Sequence, residues 1–234
     1  MTTGMIVLAG GIGKRIGQPI PKQFLLLGGN PLIVHVLEKV LGLPAIADVV
    51  ITCPASHLEE TRDLVANHGF GERFRCIEGG ASRQESVYRG LEALDGVESV
   101  VIHEAVRPLV TAEEFRALLD APDANVMFGI PIPFTVLKGH EYVEDLLERS
   151  ELVNVQLPQK FDARLLREAH DAARRDDATF TEDASLVFRY ADAPVRVLPG
   201  SNRNLKITVP TDLIVAEALY ADLVGRRLDQ PVRD

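Results

Sequence analysis

Lys14, Arg15 and Lys22 crowd one short segment, "VLAGGIGKRIGQPIPKQF", residues 7–24, directly after an apolar run and a glycine-rich turn. Cations and open backbone amides in that arrangement hold phosphate. Pro21 fixes the backbone before Lys22 and removes an amide hydrogen, so it aims the lysine at a defined point. With Lys14 and Arg15, Lys22 would neutralise a triphosphate whose α-phosphate is under attack. A dinucleotide fingerprint is excluded because counting from Gly11 through Gly13 reaches Ile16 where glycine is required. A P-loop is excluded because Gly13-Lys14 is followed by Arg15, not Ser or Thr. A bare strand-to-helix turn would need the glycines but not the proline-aimed lysine.

The elements that must carry this loop alternate. Apolar runs at "MIVLA", "DVVITC", "RFRCIEG", "SVVIHEA" and "NVMFGIPI" read as strands. Between them "PLIVHVLEKVLGL", "LEETRDLVANHG" and "RQESVYRGLEALDG" repeat apolar residues at helical spacing. Alternation of this kind predicts a doubly wound α/β fold with a mostly parallel sheet, whose ligands bind beyond the carboxyl ends of the strands. The glycine loop, "GGASR" and "HEAVRP" would then face one crevice. From about Thr135 to Pro158 no long helical face appears, which predicts an extended arm on a single domain spanning residues 1–234. Helices at "ARLLREAHDAARR" and "TEDASLVFRYA", a strand at "PVRVLPG" and a helix from "TVPTDLIVAEAL" onward complete the chain.

Composition narrows the partners. With 46% hydrophobic and 25% charged residues among 234, the chain reads as a soluble globular protein with no bilayer-length apolar run and no signal peptide. A formal net charge of −9 argues against a nucleic-acid partner, which calls for a basic face. Cys53 and Cys76 lack CxxC spacing and read as packing residues in a reducing, cytoplasmic setting.

The blocks "LAGGIGKR", "PKQF", "GGASRQESVYRGL", "HEAVRP", "TEDAS" and "NLKITVPTDL" together resemble the 2-C-methyl-D-erythritol 4-phosphate cytidylyltransferases and their relatives, the ribitol 5-phosphate cytidylyltransferases. The likeness runs from about Met5 to Leu219. It implies a nucleotidyltransferase variant of the Rossmann-like fold, a homodimer joined by projecting arms, and transfer of CMP from CTP to a phosphorylated polyol, dependent on Mg²⁺ or another divalent cation. Carried over by motif, Arg15 and Lys22 would be catalytic, contacting the triphosphate. Ala9, Gly10 and Gly11 would line the nucleotide, Gly80, Arg83 and Ser86 would approach the base, and Glu104 and Ala105 the ribose or metal side. Thr135, Arg149 from a partner's arm and Lys206 would hold the acceptor.

This chemistry suits the residues. A phosphate monoester, with a second pKa of roughly 6, is already largely ionised at neutral pH and attacks without a general base. No Ser-His-Asp set is then needed, and His103 is assigned no chemistry. Arg107 would orient Glu104, Ser82 or Ser86 would cap the helix after "GGA", and Lys206 would point away from Leu205 and Ile207 on a strand. Phe134, Glu104, Leu157 and Arg203 depart from the usual pattern, Phe134 and Arg203 on the acceptor side. Methylerythritol phosphate is the leading acceptor in isoprenoid synthesis. Ribitol 5-phosphate, another polyol phosphate or a phosphonate is the alternative, and a nucleotide-binding regulatory protein is the non-enzymatic one.

Overall fold

The computed structural model describes residues 2–11 and 20–229. Its centre is a seven-stranded sheet in the order β11-β7-β10-β6-β1-β4-β5. Strand β1 (Thr3–Leu8) pairs in parallel with β4 (Ile46–Cys53) and β6 (Ser99–Glu104), and β5 (Phe74–Glu78) extends the sheet in parallel beyond β4. Every residue of β1 is buried, because helices cover both faces of the sheet. Met5 and Val7 pack towards α1 (Leu32–Leu41), while Ile6 and Leu8 join α3 (Arg83–Ala93) and α5 (Ala163–Arg175). Each fully buried aliphatic side chain contributes about 1.5–3 kcal/mol. Gly90 lets α3 lie close on the sheet: a Cβ there would meet Ile6 at 2.9 Å, so any larger residue would push the helix away.

The remaining helices follow their own sequence signals. α2 (Leu58–Asn67) bridges β4 and β5. α4 (Ala112–Asp120) begins with a capping box in which Thr111 and Glu114 satisfy each other's exposed backbone amides. α6 (Asp183–Tyr190) starts at the Glu182 side chain, which accepts from the Ala184 and Ser185 amides. A short β2–β3 hairpin (Leu26–Leu27, Asn30–Pro31) packs with α7 (Pro210–Asp229) through Leu27, Leu32, Ile207, Ala216 and Tyr220.

Two departures from the sequence reading concern the region after β7 (Val126–Pro131). A hairpin of β8 (Val136–Gly139) and β9 (Val143–Leu147) projects with Leu137, Tyr142, Val143 and Leu146 exposed. The expected arm stops sooner than Pro158, because β10 (Val153–Asp162) returns to the main sheet between β7 and β6, antiparallel to both. The alternation Val153-Asn154-Val155-Gln156 is the signal for that strand. Beyond β7, β11 (Arg196–Pro199) closes the sheet in parallel. The second departure is local: residues 204–207 form no strand, although Ile207 donates to Val106 O at 2.9 Å.

Candidate active site

At the carboxyl ends of β1, β5 and β6 lies a cavity of about 380 Å³. Gly10, Gly11, Lys22, Gly80, Arg83, Ser86, Glu104 and Lys206 line it, eight residues selected from the sequence by motif. The site is assembled by backbone as much as by side chains. Ala9 N donates to Thr52 O at 2.8 Å and Ala105 N to Leu8 O at 3.0 Å, so both loops leave the sheet at fixed angles. Lys14 and Arg15 lie outside the described residues.

Lys22 enters on a short 3-10 turn, Lys22–Phe24, with its amide donating to Gly11 O at 3.2 Å. Its stem is buried, and Nζ donates to Thr208 O at 2.7 Å. That carbonyl is itself held, since the Asp212 carboxylate accepts from the Thr208 amide and hydroxyl, each at 2.6 Å, and from Val209 N at 2.9 Å. Partial burial works against ionised Asp212, but those Thr208 and Val209 bonds outweigh it and hold its carboxyl below the usual range.

The "GGASR" turn is shaped by two serines. Ser82 caps α3 by accepting from Glu85 N at 3.0 Å, and Ser86 Oγ accepts from Gly80 N at 3.0 Å while donating to Ser82 O at 2.8 Å. Gly80 is required because a Cβ would meet the Glu85 side chain at 2.3 Å.

Glu104 is the electrostatic centre. Its buried carboxylate lies 2.7 Å from Lys206 Nζ, 3.2 Å from Arg107 Nε and 3.7 Å from Arg83 Nε. Burial opposes its ionisation, but Lys206, Arg107 and then Arg83 outweigh that penalty and hold its pKa below the carboxylate range. Arg107 also donates to Asn204 O at 2.9 Å, so it both orients Glu104 and ties the loop to β6. A carboxylate already shared by three cations does not fit the role of metal ligand that the sequence assigned to Glu104. Among the described residues no cluster of three His, Cys, Asp or Glu side chains is built to hold a metal ion.

Other residues singled out from the sequence have definite places in the structure. His103 is fully buried, its Nε2 is 3.2 Å from Arg107 O, and burial pushes its pKa down to about 3, so it stays neutral and structural. Cys53 and Cys76 are free and buried. Lys206 lines the cavity beside Ile207, reaching it not from the expected strand but from a loop held by Asn204, Asp212 and the packing of α7. Thr135 and Arg149 do not line the cavity: both are exposed at the arm, where Arg149 donates to Pro133 O at 3.2 Å.

The departures from pattern acquire structural roles. Leu157 packs in the core with Phe161 and Leu166, and Arg203 pairs with Asp222 of α7 at 2.8 Å. Phe134 is 75% exposed. Missed altogether were Thr208, Asp212 and Asp183, although "TEDAS" and "NLKITVPTDL" contain all three.

Known proteins resemble this chain in sequence and fold. The family model described as IspD: 2-C-methyl-D-erythritol 4-phosphate cytidylyltransferase matches residues 3–222. The enzyme so named from Geobacillus kaustophilus (strain HTA426) is 39% identical over 222 residues, covering 92% of this chain and 96% of its own. The one from Syntrophus aciditrophicus is 37% identical over 227 residues, covering 94% and 97%. Among solved structures, the 2-C-methyl-D-erythritol 4-phosphate cytidylyltransferase of Thermus thermophilus superposes with a TM-score of 0.76 at 31% identity, covering 92% of this chain and 97% of that one. The 4-diphosphocytidyl-2C-methyl-D-erythritol synthase of Anaerococcus prevotii DSM 20548 gives a TM-score of 0.81 at 26% identity, covering 93% and 95%. This chain belongs to the 2-C-methyl-D-erythritol 4-phosphate cytidylyltransferase family.

Proposed function

We propose a division of labour within the cavity for a cytidylyltransferase that moves CMP from CTP to 2-C-methyl-D-erythritol 4-phosphate and releases pyrophosphate in isoprenoid biosynthesis. The supporting observation is the convergence of the Gly10-Gly11 loop, Lys22, the Gly80–Arg83 turn and the Glu104–Lys206 pair on one cavity. Lys22 carries charge to the triphosphate and stabilises the oxygens of the pentavalent α-phosphorus, with Arg15 as its partner. Gly80, Arg83 and Ser86 receive the base, Ala9 to Gly11 and Ala105 the rest of the nucleotide. Glu104 holds Lys206, Arg107 and Arg83 in fixed relation, and Lys206 exchanges its carboxylate partner for the acceptor phosphate.

The ionised acceptor phosphate attacks the α-phosphorus in line, a new P–O bond forms, and the bond to the pyrophosphate leaving group breaks. Positioning and charge supply the acceleration. The reaction's divalent cation, Mg²⁺ or another, finds no protein cage among the described residues and is not assigned to Glu104. The whole chain acts as a single domain in a reduced cytoplasm. A homodimer completes the site, with the exposed apolar hairpin as its contact and Thr135 and the partner arm's Arg149 reaching the acceptor.

Pyrophosphate release from CTP in the presence of Mg²⁺ tests the reading, with methylerythritol 4-phosphate, ribitol 5-phosphate and no acceptor side by side. Release with methylerythritol phosphate alone is expected. Release with ribitol phosphate alone would overturn the acceptor, and silence with both would overturn the reaction.

A further inference from the structure

Asp183 begins α6 and is 1% exposed, yet none of the roles above uses it. Its Oδ2 lies 2.7 Å from Arg83 Nη2. On its other side the fully buried His170 of α5 places Nε2 3.6 Å from Oδ1, and neither ring nitrogen has a hydrogen-bond partner among the described residues. Arg83 lines the cavity and reaches Glu104 through Nε, so its guanidinium spans from the buried carboxylate of α6 to the end of β6.

A carboxylate so deeply buried persists only when paired. Arg83 supplies the counter-charge, at ion-pair distance but without hydrogen-bond geometry. In return the arginine, whose long side chain otherwise samples many rotamers, is held before any ligand arrives, and a held side chain loses less freedom on binding. The direction of restraint is clear from exposure: Asp183 is sealed inside, Arg83 is 20% exposed at the cavity wall.

We infer that Asp183 is a positioning residue for the nucleotide: it clamps the Arg83 guanidinium against the cavity wall in the geometry that meets CTP, with His170 backing Asp183 from the far side. The inference rests on the reading of Arg83 as a nucleotide contact. A core ion pair with no such role would affect folding alone, and a double-mutant cycle separates the two.

CTP affinity is measured by calorimetry without acceptor for the wild type, Asp183→Asn, Arg83→Ala and the double variant, with the KM for each substrate, kcat and the thermal midpoint alongside. Asp183→Asn is expected to weaken CTP binding and raise its KM by about tenfold, a coupling within the usual range for side chains in direct contact, because the guanidinium loses the counter-charge that holds it, while the acceptor KM stays unchanged. In the Arg83→Ala background the same substitution is expected to change CTP affinity by less than about twofold. Asp183→Glu keeps the charge while displacing the guanidinium, and is expected to weaken CTP binding too, which covers the case in which Asp183→Asn does not fold. Wild-type affinity in Asp183→Asn or Asp183→Glu, or an equal loss with and without Arg83, would overturn the inference. A wild-type protein that binds no CTP would instead overturn the reading of the cavity itself.

Discussion

Lys206 Nζ and Glu104 Oε1 lie 2.7 Å apart across 102 residues of sequence, joining the loop before α7 to the end of β6. This pair makes the Glu104 charge essential to the site's shape. Glu104→Gln is expected to cost about 3 kcal/mol of stability, because removal of one member leaves Arg107 and Lys206 without their buried counter-charge. Urea unfolding with pyrophosphate release measured in parallel checks this. The folded pKa of Glu104 lies below its unfolded value, so the unfolded chain takes up the proton first as pH falls. Its stabilisation is complete above the ordinary carboxylate value, about 4.3, and is lost as pH drops through the lower folded value. Glu104→Gln is expected to flatten that acid limb.

Lys22→Ala is expected to lower turnover by about 10²–10³ at saturating CTP, the loss seen when one transition-state donor is removed. The hydrogen bond from Lys22 to Thr208 O joins two connecting segments 186 residues apart and belongs to neither the main sheet nor an α-helix, so circular dichroism should show the fold retained. Unchanged turnover in a folded variant would remove Lys22 from the catalytic role.

His103 supplies a second pH signature. The unfolded imidazole takes up a proton near 6.5, whereas burial keeps the folded one neutral down to about 3. Between those values stability therefore falls as pH falls, by up to about 1.4 kcal/mol per unit for one group. His103→Gln is expected to reduce that slope in unfolding experiments. The pH profile of turnover above pH about 6.5 should not move, since the folded histidine is already neutral there.

If Arg149 serves a partner's site, then Arg149→Ala and Lys22→Ala chains are complementary defects. Mixed and reassembled, they are expected to recover a fraction of activity that neither shows alone, because one site in a hybrid dimer is intact in both respects. Native mass spectrometry establishes that hybrids form. Absence of recovery in formed hybrids would confine the site to one chain.

The sequence by itself determined the strand and helix alternation, the glycine-rich turns and the identity of the cavity's cations, because these depend on neighbours close along the chain. Apolar runs such as "MIVLA" specify a strand buried on both faces, and Ser82 specifies a helix start, whatever the rest does. The tertiary structure alone decided what those charges face. Glu104, drawn from its block as a candidate for metal, is claimed by Lys206, Arg107 and Arg83 from three segments. Lys206 owes its direction to the packing of α7, not to a strand, and Asp183 owes its importance to Arg83, a residue of another helix. Local propensity acts within a few residues. Electrostatic pairing depends on distance in space and on burial, and both are set only when the sheet brings its carboxyl ends together.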